Sequence, residues 1–244
     1  MKKIMKDGKT LLIAFDHGFE HGPANYKGIN LNPKRIVHIA KKGGANGIIL
    51  HAGTARYAKD FIGNLALIIK LTGKTSLVPE EDQIQAIVTT IEEAVRFNPD
   101  GIAATVYIGT KKEWMMLERF ALIKNSCIKR KLPLIGFFYP RGSHKYDPDS
   151  ISYAARIGSE LGADIVKTYY TGDKVSFRRV VENSFVPIGV AGGQIKENEE
   201  DILNFVKDVM DAGACGLVIG RNIWMRSDEE AVELLKKIKE IIYG

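Results

Sequence analysis

The sequence predicts a closed parallel (β/α)8 barrel occupying residues 1–244 as one domain. Three observations predict it. Short apolar runs alternate with longer amphipathic runs eight times from end to end, the order that gives a parallel sheet wrapped in helices. The apolar runs are almost uninterrupted, as strands buried on both faces require. The length of 244 residues, 45% of them hydrophobic, is that of a single barrel with a large core. An open doubly wound sheet is the competing arrangement, but no GxGxxG follows the first strand.

The first strand is TLLIAFDHG (10–18), and Asn32-Pro33 supplies an N-cap and a first-turn proline for the helix PKRIVHIAKKGG. NGIILHAG (46–53) is the second strand, ARYAKDFIG a short helix, and LALIIKLTG (65–73) the third strand. Residues 74–90 read as a polar loop around Pro79 followed by the β-like run QIQAIVTT. Thr90 caps IEEAVRFN, DGIAATVYIG (100–109) is the fourth strand, and residues 111–131 carry helical periodicity, with Trp114, Met115 and Met116 in its core stripe. LPLIGFFYP (132–140) is the fifth strand. Asp147-Pro148 opens the next helix, and DIVKTYYTG (164–172) is the sixth strand. The helix KVSFRRVVEN leads to VPIGVAGG (186–193), and the helix ENEEDILNFVKDVMDAGA to GLVIGRNIW (216–224), the eighth strand, with Trp224 packed under the last loop. Ser227 and Glu230 form a capping box for the final helix.

Composition narrows the function classes. A formal net charge of +6 suits nucleic acid or anionic small molecules. The densest lysines, Lys236, Lys237 and Lys239, lie among leucines and isoleucines as the wet face of a helix, and no zinc finger, RNP aromatic signature or basic arm accompanies them. No apolar run reaches membrane-spanning length, and MKKIMKDGKT lacks the apolar stretch of a secretory signal, so a cytoplasmic place with no membrane partner is expected. Cys127 and Cys215, far apart and flanked by small or apolar residues, read as buried thiols of a reducing compartment.

In a parallel barrel, chemistry gathers at the C-terminal ends of the strands. Lys167 interrupts an apolar strand, a costly position for a charge. Desolvation lowers an amine pKa and frees its lone pair for a carbonyl carbon. Alternation sets Ile165, Lys167 and Tyr169 on one face. Spacing alone leaves catalysis and a structural lysine reaching the rim equally open. Tyr139, on the neighbouring strand, reads as an aromatic rim residue or a proton carrier, and Asp16 as a proton relay or a turn cap. Gly192-Gly193 and Gly220-Arg221, after strands seven and eight, match the usual place of a phosphate cradle. Lys70 reads as a rim charge in preference to a second active-site cation. His17 and His21, with Glu20 between them, have no convincing third ligand, so hydrogen bonding is expected in place of a metal.

Five motifs in order, FDHGFEHGP (15–23), YPRG (139–142), VKTYYTGD (166–173), VAGG (190–193) and IGRNIW (219–224), resemble the archaeal-type class I fructose-bisphosphate aldolases. The resemblance spans the chain and implies a metal-independent Schiff-base aldolase with no cofactor. It makes Lys167 the imine former, Tyr139 the acid/base and Asp16 an assisting group. Gly172, Gly192, Gly193, Gly220 and Arg221 would hold phosphate, with Arg141 binding substrate and His21 near its distal end. It also implies a phosphorylated sugar substrate and a homo-oligomer, ten subunits in some relatives. Phe137 stands where relatives can carry tryptophan, and the segment around 54–66 is abbreviated. A heptulosonate synthase of the same superfamily, or a silent phosphosugar-binding barrel, are the alternatives.

Overall fold

The computed structural model describes residues 1–22 and 32–244, so Pro23, the last residue of FDHGFEHGP, lies outside the described residues. Eight parallel strands close on themselves: β1 (Thr10–Phe15), β2 (Gly47–His51), β3 (Ala66–Lys70), β4 (Gly101–Ile108), β5 (Leu134–Pro140), β6 (Ile165–Thr168), β7 (Ile188–Ala191) and β8 (Gly216–Ile219). Each pairs with its sequence neighbours, and β8 returns to β1, which rules out an open sheet. The outer helices are α1 (Pro33–Lys42), α2 (Ala52–Ile62), α3 (Ile91–Ala94), α4 (Glu113–Arg130), α5 (Pro148–Glu160), α6 (Lys174–Glu182), α7 (Glu199–Asp211) and α8 (Asp228–Tyr243).

The expected caps are in place. The side chains of Asn32, Thr90 and Asp147 accept from backbone N–H groups of the first turns, and Ser227 and Glu230 close a reciprocal box. Lys236, Lys237 and Lys239 are exposed on α8, as a wet helix face requires. Three expectations are corrected. First, β8 stops at Ile219: Gly220 leaves the extended region (φ −133°, ψ −97°), and Arg221–Trp224 is one turn of helix. The Trp224 indole donates to Ala14 O (3.0 Å), drawing that turn under the rim of β1. Second, Thr72–Gly73 leaves the third strand and pairs antiparallel with Ala86–Ile87, so the β-like run after Pro79 is half of a small hairpin. Third, Trp114 is 60% exposed, because the buried stripe of α4 runs through Met116, Phe120, Ile123 and Cys127.

At the N-terminal ends of the strands, the residue before a strand repeatedly clasps its neighbour. Asn46 Oδ1 accepts from Leu11 N (2.7 Å), Asp100 Oδ2 from Leu67 N (2.9 Å), and Asp164 Oδ2 from Leu134 N (2.7 Å). These bonds satisfy strand-end N–H groups that would otherwise be orphaned. Outward side chains pack on the helices: Phe138 and Val166 meet Gly158 of α5, and Tyr170 meets Phe177 of α6 and Phe205 of α7. Alternation therefore turns Phe137, Lys167 and Tyr169 inward.

Candidate active site

The C-terminal mouth of the barrel holds a cavity of about 380 Å³. Lys167 enters it from β6, opposite Phe137 in the β5–β6 register, with Nζ 4.2 Å from the centre of the Phe137 ring. Only 7% of the side chain is exposed. Burial pushes its pKa down to about 8; Asp16 and Glu20 oppose the shift, and Lys70 adds to it. At pH 7 roughly a tenth of such an amine is unprotonated, against about one part in three thousand for an ordinary lysine.

Tyr139 lies on the same inward face of β5, stacked on Tyr169 with ring centres 4.5 Å apart. Burial, then Tyr169 and the Asp16 carboxylate, hold its phenol protonated well above the ordinary value. Asp16, just past β1, bonds Lys70 Nζ through Oδ2 (2.6 Å). Burial works against its charge, but Lys70, Lys167 and His51 together outweigh it and keep the carboxyl ionised well below the usual range.

Lys70 overturns its reading as a rim charge. It is 1% exposed, bridging Asp16 and Glu20 inside the lumen, 5.2 Å from the centre of the Phe137 ring. Burial disfavours its ammonium, and the two carboxylates more than restore it, raising its pKa. Glu20 is tied in turn to Gln85 and Tyr107.

On the opposite flank, Gly192, Gly193, Gly220 and Arg221 line the cavity together. A Cβ on Gly220 would fall 2.8 Å from Ala14 O, and Gly193 has φ +68°, so both positions need glycine. Arg221 reaches Gly193 O (3.3 Å). Asn222, to which the sequence reading gave no role, fastens the two loops. Its Nδ2 donates to Gly192 O (2.8 Å) and Gln194 O (2.9 Å), and its Oδ1 accepts from Lys196 N (2.8 Å). Asn222→Ala should raise KM for a phosphorylated substrate more than it lowers kcat, and cost about 1–3 kcal/mol of stability through the three hydrogen bonds of a buried side chain that alanine cannot make. Steady-state kinetics and urea unfolding check both.

Arg141 also faces the cavity, its guanidinium 3.7 Å from the Tyr107 ring centre and 2.6 Å from Tyr169 OH. Lys145 stands near it, and both approach Glu80. His21 lines the cavity stacked on His17, ring centres 4.1 Å apart. Its charged neighbours, Glu20, Lys74 and Arg221, come from both flanks of β1. Burial pushes His17 to about 3 and His21 to about 4, so both rings are neutral at pH 7. Gly172 (φ +105°) follows β6 and is not among the residues bordering the cavity. Among the described residues, no three His, Cys, Asp or Glu side chains are grouped to hold a metal ion.

The model of the DeoC/LacD family aldolases matches residues 10–226. The chain belongs to that family. The class 1 fructose-bisphosphate aldolase of Thermoproteus tenax is 38% identical to it over 250 residues, covering 100% of this chain and 93% of the relative. The class 1 enzyme of Halobacterium salinarum is 32% identical, covering 98% and 92%. A solved archaeal fructose-1,6-bisphosphate aldolase, its catalytic lysine covalently bound to the carbinolamine intermediate of its substrate, superposes with a TM-score of 0.92 at 36% identity, covering 100% of this chain and 98% of its own.

Proposed function

We propose that the chain is a class I fructose-bisphosphate aldolase. It cleaves fructose 1,6-bisphosphate reversibly to dihydroxyacetone phosphate and glyceraldehyde 3-phosphate through a Schiff base, with residues 1–244 acting as one catalytic barrel. The observation that carries this reading is the placement of Lys167. A buried, partly neutral amine faces one cavity shared with Tyr139 and Asp16 on one flank and the Gly192–Gly193 and Gly220–Arg221 loops on the other.

The Lys167 amine adds to C2 of the open-chain ketose, and loss of water leaves a protonated imine. That cation draws in the electron pair when the C3–C4 bond breaks. The ionised carboxylate of Asp16 takes the C4 hydroxyl proton as the aldehyde forms. Tyr139, held protonated, supplies the proton that converts the enamine back to an imine at C3, and the proton taken up by Asp16 passes to the Tyr139 phenolate, so both groups end as they began. Water then adds to C2 and releases dihydroxyacetone phosphate. The β7 and β8 glycine loops with Arg221 anchor the 1-phosphate, and Arg141 with His21 serves the distal part of the sugar. Anchoring at phosphate turns remote binding into alignment at the reacting carbons.

The same reading includes a cytoplasmic place, supported by the buried free thiols Cys127 and Cys215. It includes assembly of several copies, ten being the number the resemblance suggests. The exposed Trp114, Leu122 and Ile128 on α4 give that assembly an apolar surface to cover. Among the described residues no helix is long and apolar enough to cross a membrane.

Borohydride added with dihydroxyacetone phosphate should leave a mass adduct on Lys167, and cleavage of fructose 1,6-bisphosphate should persist in a chelator. An adduct on another residue, or activity lost to the chelator, contradicts the reading. The rate of trapping should climb as pH rises through about 8, because the reactive form of Lys167 is the unprotonated one.

A further inference from the structure

We propose that Glu20 is a positioning residue: with Lys70 it holds Asp16 in place as a charged base beside Lys167, and through Tyr107 it couples that base to Arg141. The inference rests on Lys167 being the imine former.

Three elements build the device. Glu20 comes from the short helix after β1, Lys70 from the end of β3, and Tyr107 from β4. Lys70 Nζ bonds one carboxylate oxygen of each acid, Asp16 Oδ2 and Glu20 Oε1. The other Glu20 oxygen accepts from Tyr107 OH (3.2 Å), and Gln85 Nε2 donates both to Glu20 (3.2 Å) and to Tyr107 (2.8 Å). The Arg141 guanidinium lies over the Tyr107 ring, 3.7 Å from its centre. These side chains are buried: Lys70, Gln85 and Tyr107 are 1% exposed or less, and Glu20 and Arg141 are 8% exposed.

The charge balance explains why a second carboxylate is present. Asp16 and Lys70 alone would neutralise each other. Adding Glu20 leaves one net negative charge beside Lys167, matched to the positive charge that the amine acquires when it becomes a protonated imine. Lys70 is drawn between two acids, so it occupies only Oδ2 of Asp16 and leaves Oδ1 for the sugar hydroxyl. Among the described residues, the charged groups acting on Lys167 are Asp16 past β1, Glu20 on the short helix, and Lys70 on β3. Glu20 itself is faced by Lys70, Asp16 and His21.

Glu20→Gln keeps the shape and removes one negative charge. The pH midpoint for trapping dihydroxyacetone phosphate with borohydride should then fall by about one unit, as loss of a nearby opposite charge predicts. The turnover number should drop at least about tenfold even at the new optimum, the scale of a displaced catalytic group. Lys70→Met combined with Glu20→Gln removes one charge of each sign. Lys70 acts on Lys167 more strongly than Glu20 does, so the midpoint should rise to or above that of the wild type while turnover stays low, because Asp16 has lost its anchor. Tyr107→Phe, which changes no charge, should lower turnover without moving the midpoint. An unmoved midpoint in Glu20→Gln, with the wild type still trapped on Lys167, overturns the role of Glu20. Absence of trapping in the wild type instead overturns the aldolase reading itself. If Glu20→Gln does not fold, the double variant and Tyr107→Phe decide: a midpoint below that of the wild type in the double variant, or one displaced in Tyr107→Phe, also overturns the proposal.

Discussion

Lys167→Met should abolish turnover and at the same time make the protein more stable. The covalent route goes with the amine, so cleavage should fall by about 10⁵-fold or more. The stability gain follows from burial. The folded-state pKa of Lys167 is about 8, against an ordinary value of 10.5. Between those two values the unfolded chain binds more protons than the folded one, so stability rises with pH across that window. Below about pH 8 the whole penalty is present, about 3 kcal/mol. Methionine fills similar space with no charge to desolvate. At pH 7 the variant should therefore resist urea better than the wild type, and the gap should close as pH climbs from 8 to 10.5. Equal urea midpoints at pH 7 would mean that the ammonium is well solvated in the folded protein.

Lys70→Met should do the reverse and destabilise the fold by about 3–5 kcal/mol, the usual result of removing one partner from a buried ion group. Asp16 and Glu20 would then face each other with no cation between them, and one would take up a proton. In the wild type both carboxyls are depressed by Lys70 against the pull of burial. Their contribution is present above the unfolded carboxyl range, near pH 4, and is lost as pH falls through the lower folded values. In the variant the carboxyl that takes up the proton has a raised pKa, so its contribution is largest in acid and is lost as pH rises. The deficit against the wild type should thus be widest near pH 7.5 and should shrink towards pH 4. Denaturant titrations at the two pH values measure this. Adding Glu20→Gln to Lys70→Met should recover part of the loss, since only one carboxylate then needs a partner.

Lys70 also shows where sequence reading stops. Lys167 stands out because it interrupts an apolar strand, but its spacing leaves a rim lysine equally open, and the VKTYYTGD motif is what singles it out. Lys70 closes the strand ALIIK, and a terminal lysine has a ready explanation as a rim charge. What pairs with it is two acids 54 and 50 residues away in sequence, brought across from the end of β1 by the curvature of the β1–β2–β3 sheet. Local pattern misled at Trp224 for the opposite reason. Its apolar neighbours extend the strand motif, while Gly220 and the bond to Ala14 O turn the backbone into a helix. Trp114 falls outside the stripe of Met116, Phe120, Ile123 and Cys127, so helical spacing was right and the assigned phase was wrong. The strand order, the caps and the glycine loops depend on local residue chemistry, and these were readable. Asn222 was not, because its three bonds reach back to residues 192–196 across a helix and a strand.

The clasps made by Asn46, Asp100 and Asp164 lie at the opposite end of the strands from Lys167. They fix the offset of β1 against β2, β3 against β4 and β5 against β6 without drawing on any group that meets substrate. Tightening or loosening that floor should change how firmly the chain holds together while leaving the reaction's pH profile alone. Such a separation allows the loops above to be rebuilt for a different sugar on an unchanged foundation.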